Sequence, residues 1–391
     1  MGKRVGMEVS IGAAEAVKLA RAECIAAYPI TPQTHIVEHL SELVNNGELD
    51  AEFIPVESEH SAMSVCCGCS AVGARTFTCT SSQGMALMNE ILFIVPAMRL
   101  PIVMILANRS LSSPLSIWND HSDIMSIRDT GWIQLFAENG QEVVDHVLFA
   151  FKVAENPNVL LPVMINMDGF ILSHVIEPIE LPDQDVVDKF LPPYNPVQRL
   201  HPDHPITMGA FAIPDLFTET KKAQEEAIKS SFPYIIKAWD ELGNTIGRYY
   251  NPIEKYKSEG KKILFITMGS FGETVMTAID MMEEKGIDVG LIRIRLWRPF
   301  PEKEFLDAIK DADILIVIDR AITFGGMAGP VTTEIRSVLY HEENMPAVVG
   351  FICGLAGRDV TPKDYERMVE IAKEKVKKGK EKEYEIYGVR E

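Results

Sequence analysis

The sequence predicts an α/β protein built from two parallel-sheet domains, and three observations carry that prediction. Between residues 24 and 167, short apolar runs alternate with amphipathic segments, as a βαβ series should. A second alternation of the same kind begins at Lys262. Between them Pro178, Pro182, Pro192, Pro193, Pro196, Pro202, Pro205 and Pro214 mark a stretch that reads as an extended meander rather than a packed core. A length of 391 residues suits two domains. The expected division is 1–245, with a Pro-rich arm at 175–215 and a long helix, then a linker at 246–260, then 261–391.

Taken in order, Ile11 to Ala22 reads as a helix with Glu15, Lys18 and Arg21 on its polar face. Cys24 to Tyr28 is a short buried strand, stopped by the rigid turn Pro29-Ile30-Thr31-Pro32. Gln33 to Asn46 is an amphipathic helix ended by Gly47. Glu52 to Val56 is a strand, followed by a turn that places Glu59 at the start of a helix of small residues. Arg75 to Thr80 is a strand, and Ser81-Ser82-Gln83-Gly84 opens the next helix with serine as a natural cap. Pro101 to Ala107 is almost wholly apolar, as a parallel strand covered on both faces should be. Strands at 131–137 and 160–167 flank a helix at 141–154. A long helix is expected from Leu216 to Leu242. In the second series Ile263 to Thr267, Val289 to Ile294, Ile314 to Ile318 and Ala347 to Phe351 read as strands. The turn Met268-Gly269-Ser270-Phe271-Gly272 could receive a phosphate at a helix start, but it lacks a full dinucleotide fingerprint.

Charge narrows the function. With 38 basic against 56 acidic residues the net charge is −18. That excludes the cationic footprint a nucleic-acid binder needs and disfavours an anionic membrane surface. No apolar run of roughly 18 residues predicts a membrane span, and the N-terminus lacks the apolar core of a signal peptide. A cytoplasmic location is therefore expected. Of the 6 cysteines, Cys66 and Cys69 form a CxxC pair. With no second pair and small neighbours, close helix packing is the preferred reading over metal or redox use.

Candidate site residues stand where strands end, since ligands of open α/β sheets bind there. Glu59 suits acid–base work, or it favours the positive end of its helix. Arg109 suits a carboxylate, or it makes an ordinary ion pair. Asp120, His121 and Asp123 are metal-ligand types, but one short loop is a weak signal.

Several collinear motifs are similar to the α chain of the 2-oxoacid:ferredoxin oxidoreductases. They are Tyr28-Pro29-Ile30-Thr31-Pro32, Val56-Glu57-Ser58-Glu59-His60-Ser61, Ala107 to Ser112, Trp118 to Asp123, Arg128 to Trp132, Arg298-Pro299-Phe300-Pro301 and Gly354 to Thr361. Within the family the chain most resembles the pyruvate type, with the branched-chain type close behind. The resemblance implies a pyrimidine-binding-like thiamine diphosphate domain followed by a transketolase C-terminal-like domain, whose usual role is assembly. It implies oxidative decarboxylation of a 2-oxoacid with thiamine diphosphate as cofactor, coenzyme A as acyl acceptor and ferredoxin as electron acceptor, in anaerobic metabolism.

The site residues follow from the same resemblance. Glu59 is the carboxylate expected to bond the pyrimidine N1′ of the cofactor and favour its imino form. Glu57, two residues earlier, points to the other face. Tyr28, Pro29, Ile30 and Thr31 complete the expected cofactor-binding set. Thr31 and Arg109 are expected to bind the substrate's keto and carboxylate oxygens, and Thr31 in place of a second arginine suits a monocarboxylate. The loop from Ser110 to Asp123 is expected to line the substrate pocket.

No Gly-Asp-Gly diphosphate motif and no run of cluster-binding cysteines occurs in the chain. No metal ligand is assigned to it. The resemblance therefore implies a hetero-oligomer: a β subunit holding the diphosphate and Mg2+, and γ and δ (ferredoxin-like) subunits with [4Fe-4S] clusters. Branched-chain or aryl 2-oxoacids are the alternative substrates, Gln33 and Met63 being positioned to line a roomier pocket. A non-catalytic assembly subunit is the alternative role.

Overall fold

The computed structural model describes residues 2–343 and 345–390. The chain runs β1 (Lys3–Glu8), α1 (Val9–Leu19), β2 (Cys24–Ala27), α2 (Thr34–Asn45), β3 (Glu52–Pro55), α3 (Glu59–Val72), β4 (Thr76–Thr80), α4 (Ser82–Ala97), β5 (Ile102–Asn108), α5 (Ser122–Ser126), β6 (Ile133–Phe136), α6 (Gly140–Ala154) and β7 (Val163–Asp168). Strands β2 to β7 form a parallel sheet in the order β6-β7-β5-β4-β2-β3. Every residue of β4, β5, β6 and β7 is buried, because helices cover both faces. Core residues of α1, α2 and α6 lie on one face and those of α3 and α4 on the other. The chain therefore leaves β2 and β4, which are neighbours, toward opposite faces. That divergence opens a crevice at their carboxyl ends.

The region expected to be an extended Pro-rich arm contains β8 (Ile176–Leu181) and α7 (Gln184–Phe190). Strand β8 pairs antiparallel with β1, placing Pro178 opposite Gly6. A two-stranded ribbon has outward positions that need no amide donor, so proline is tolerated there. The single helix expected at 216–242 is two, α8 (Pro214–Ser230) and α9 (Phe232–Ile246). Pro233 has no N–H for the carbonyl of Lys229, and the Ser231 hydroxyl donates to the Ile228 carbonyl at 2.6 Å where the first helix ends. The stretch expected as a linker, 246–260, holds strand β9 (Ile253–Tyr256).

The second unit runs β10 (Ile263–Thr267), α10 (Phe271–Glu283), β11 (Gly290–Ile294), β12 (Leu296–Arg298), α11 (Glu302–Ile309), β13 (Ile314–Asp319), α12 (Pro330–Leu339), β14 (Ala347–Ile352), α13 (Pro362–Lys377) and β15 (Glu385–Ile386). Its sheet has the order β15-β14-β13-β10-β11-β9, parallel except for β9. Strand β12 crosses over and pairs antiparallel with β6, adding a seventh strand to the first sheet. A shared core with Met104, Met164, Trp297, Phe305 and Ile335 fills the space between the two units. Glu142 of α6 accepts from Arg293 at 2.8 and 2.9 Å and from Arg295 at 2.8 Å. Burial alone would push this carboxyl up, but the two guanidiniums hold it well below the usual carboxylate range.

The cysteine reading needs one correction. Cys69 is not a free packing residue: it forms a disulfide with Cys24, joining α3 to the start of β2. Cys66 is buried and free, and burial pushes its thiol up to about 12. The CxxC spacing has no role as a pair, because its two residues face different neighbours.

Candidate active site

Four strand ends build the site. After β3, Ser58 is the cap of α3, its hydroxyl accepting from the Ser61 amide at 3.2 Å. Glu59 is thus the first helical residue and not the cap. Its side chain is 6% exposed, whereas Glu57 points to solvent. The Glu59 carboxylate has no hydrogen-bond partner among the described residues. It lies against Gly84, where a Cβ would stand 2.6 Å from Oε1 and 2.8 Å from Cγ of Glu59, and would also press on Oγ1 of Thr80. The hydroxyls of Thr80 and Ser81 are buried without a partner among the described residues. Ser81 sits at the expected cap position of α4 but its side chain caps nothing.

After β2, the turn from Tyr28 to Thr31 projects from the sheet edge, with Tyr28, Pro29 and Thr31 exposed and Ile30 half-buried. Gln33 is fully buried, and its Nε2 donates to the Tyr28 carbonyl at 2.8 Å, so the turn is tied from below. Met63 is fully buried in the shared core. Neither residue lines a pocket, contrary to the expectation that they could widen one: both are committed to holding the scaffold.

After β5, Arg109 is almost buried. Its Nη1 donates to the Thr31 carbonyl at 2.9 Å and its Nε to the Ser116 carbonyl at 2.9 Å. The structure thus brings Arg109 and the Thr31 turn together, and separately brings Glu59 together with Gly84 and Thr80. Strand β4 lies between β5 and β2, so both pairs share one edge.

Asp123 joins them, and sequence reasoning did not assign it this part. It accepts from the Ser82 amide at 3.2 Å, the Arg109 amide at 2.9 Å and Asn108 Nδ2 at 3.1 Å. Burial pushes its carboxyl up to about 7. Ser82 has φ +43°, a conformation that costs a non-glycine residue about 1–3 kcal/mol. Asp123 holds it there together with the Ser110 carbonyl, which accepts from Ser82 Oγ at 2.6 Å. Asp120 and His121 are also consumed within the protein. Asp120 accepts from Ser110 Oγ and Ser122 Oγ, both at 2.6 Å, and His121 Nε2 lies 2.8 Å from Asp168. The glycine turn before α10 receives an anion, but that anion is Asp168, which accepts from the Ser270 amide at 2.9 Å.

Such an arrangement defines a class. A buried carboxylate without a protein donor, two unpartnered hydroxyls and an arginine over an exposed turn, all at the switch point of a parallel sheet, suit an anionic substrate and a nitrogenous cofactor. Residues 15–239 match the family described as pyruvate flavodoxin/ferredoxin oxidoreductase, thiamine diphosphate binding, and residues 261–365 match pyruvate:ferredoxin oxidoreductase core domain II. The chain belongs to the pyruvate:ferredoxin oxidoreductase family and is an oxidoreductase subunit of a multi-subunit enzyme.

Among individual relatives it is similar to pyruvate synthase subunit PorA of Pyrococcus furiosus, at 49% identity over 96% of this chain and 94% of that one. PorA of Methanothermobacter thermautotrophicus is 47% identical over 91% of this chain and 92% of that one. Ketoisovalerate oxidoreductase subunit VorA of Pyrococcus horikoshii is 45% identical over 96% and 95%. The fold is also that of 2-oxoglutarate:ferredoxin oxidoreductase from Magnetococcus marinus, with TM-score 0.68, 20% identity, and coverage of 95% of this chain and 65% of that one.

Proposed function

We propose that this chain is the α subunit of a pyruvate:ferredoxin oxidoreductase. The reaction joins pyruvate and coenzyme A, releases CO2 and passes two electrons to ferredoxin, with acetyl-CoA as product. The observation that carries the proposal is the Glu59 carboxylate, buried at the start of α3 and bonded by no described residue. A group that brings its own N–H donor satisfies it there. The aminopyrimidine of thiamine diphosphate is such a group, and the buried Thr80 hydroxyl stands behind the same carboxylate, against the Gly84 position. Thiamine diphosphate, when bound, supplies the carbanion chemistry that decarboxylation of a 2-oxoacid needs.

The chain's own residues do the rest. Glu59 would accept a hydrogen bond from the pyrimidine N1′–H and so favour the imino form. Tyr28, Pro29, Ile30 and Thr31 form the wall of the cofactor seat. The Thr31 hydroxyl, held in a turn braced by Gln33, and the free edge of the Arg109 guanidinium receive the substrate's keto and carboxylate oxygens. Partner chains supply what this sequence lacks: a β subunit for the diphosphate and Mg2+, and γ and δ subunits whose [4Fe-4S] clusters lead to ferredoxin, all in the cytoplasm. The test is coexpression with such partners, followed by coenzyme A-dependent ferredoxin reduction with a panel of 2-oxoacids. Pyruvate is expected to give the highest kcat/KM. Preference for 3-methyl-2-oxobutanoate would establish the branched-chain reading that the VorA similarity represents.

A further inference from the structure

Every residue assigned to substrate or cofactor lies in the first unit, yet the segment that carries Arg109 rests on the second. From 110 to 121 the chain has no helix or strand of its own. It closes on itself where the Ser110 amide donates to the Trp118 carbonyl at 3.0 Å. Its outer side is then held by the second unit at three points. The His121 amide donates to the Arg320 carbonyl at 2.8 Å, the Gly357 amide to the Asn119 carbonyl at 2.6 Å, and the Ala356 amide to Asp120 Oδ2 at 3.2 Å.

Side chains add a fourth support. Asp168, at the end of β7, takes Asn119 Nδ2 at 3.1 Å and His121 Nε2 at 2.8 Å on one oxygen. Its other oxygen takes Arg320 Nη1 at 2.7 Å and the Ser270 amide at 2.9 Å. The Arg320 guanidinium is itself fixed over the Phe271 ring, 4.1 Å from its centroid. Each support acts on 119–121, and that segment ends the loop whose Ser116 carbonyl orients the Arg109 guanidinium.

We propose that Arg320 and the Ala356–Gly357 turn are positioning residues for Arg109, so that the second unit sets how the 2-oxoacid carboxylate is met as well as serving assembly. The inference rests on the reading that Arg109 binds that carboxylate. Two of the three guanidinium nitrogens are oriented by Thr31 and Ser116, and a shift of the loop re-aims the edge left for substrate. A displacement of about 1 Å at such a group is enough to cost on the order of a hundredfold.

The test uses the reconstituted complex with Arg320→Met, Arg320→Lys and Gly357→Ala. Gly357 has φ +72°, and a Cβ there would meet the Trp118 Cβ at 3.0 Å. Alanine at 357 therefore pushes on the loop without touching the charged network. For Arg320→Met and Gly357→Ala the KM for pyruvate is expected to rise about tenfold or more. Their kcat and KM for coenzyme A are expected to stay near those of the unmodified complex. Arg320→Lys, which keeps the charge on Asp168, is expected to restore most of the affinity.

A second readout needs no turnover. Trp118 is 52% exposed, while Trp132, Trp239 and Trp297 are at most 1% exposed, so acrylamide quenching of the full-length chain reports this loop. Quenching is expected to change in Gly357→Ala and Arg320→Met and to stay unchanged in Arg320→Lys. Where Arg320→Met does not assemble, Gly357→Ala decides alone. An unchanged pyruvate KM in the second-unit variants, alongside a raised KM in Arg109→Lys, overturns this inference only. An unchanged KM in Arg109→Lys overturns the reading of the site beneath it.

Discussion

Glu59 and Asp168 stand at the carboxyl edge of one sheet, both buried, and the chain treats them in opposite ways. Asp168 is met by Asn119, His121, Arg320 and both the amide and hydroxyl of Ser270. Burial alone would push its carboxyl up, but Arg320 and His121 hold it far below the ordinary range. Glu59 has no donor at all among the described residues. A carboxylate set at a sheet edge with no protein donor keeps its acceptor sites open to a ligand. The difference separates scaffold from the proposed site: a saturated carboxylate joins the two units, and an unsaturated one is the residue we propose binds the cofactor.

Four experiments can break or sharpen that contrast. The largest effect is expected from Glu59→Gln. Turnover of the reconstituted complex should fall by about 10²–10⁴, the range of an acid–base group, while the melting temperature stays nearly unchanged because no protein contact is lost. A normal turnover would reduce this chain to an assembly subunit. Asp168→Asn should do the reverse. It leaves Arg320 buried without its counter-charge and should lower unfolding stability by about 3–5 kcal/mol in a denaturant titration. A stability loss below 1 kcal/mol, about what a single neutral hydrogen bond is worth, would deny it the scaffold role.

Gly84→Ala is smaller and more pointed. Alanine is the better helix former by up to about 1 kcal/mol, so α4 should not weaken. Its Cβ nevertheless displaces the Glu59 carboxylate, and kcat is expected to drop about tenfold for so small a misplacement. Wild-type turnover in this variant would show that the carboxylate's seat is not critical.

The fourth experiment concerns pH. Asp123 has a folded pKa of about 7, above its ordinary value, so the native state binds the extra proton between about pH 4 and 7. Stability from this group is full at low pH and is lost as pH rises through 7. Against Asp123→Asn, unfolding free energy should decline by roughly 1 kcal/mol per pH unit across that window. Parallel curves for the two proteins would mean that Asp123 is charged throughout.

Much of the architecture was legible because it is written in local periodicity. The runs Ile102 to Asn108 and Ile314 to Asp319 are apolar on both faces, and only a covered parallel strand uses such a pattern. What escaped was pairing between distant segments. Strand β1 and strand β8 form a sheet of their own across 170 residues of chain, and Lys3-Arg4-Val5 carries no sign of it. Ile253-Glu254-Lys255-Tyr256 is too short and too polar to announce an edge strand, and it becomes one only because β11 offers a free edge. Cys69 reads as half of a CxxC, yet its partner is Cys24, 45 residues away.

The sequence by itself determined the two α/β series, the strand ends at which Glu59, Thr31 and Arg109 stand, and the family to which their motifs belong. These follow from hydrophobic period, turn chemistry and collinear motifs, which are local properties of the chain. Tertiary structure alone decided which carboxylates are satisfied. Asp120, His121, Asp123 and Asp168 became scaffold and Glu59 did not, because a buried charge is tolerated according to the donors that packing brings from elsewhere, and those come from segments up to 236 residues away.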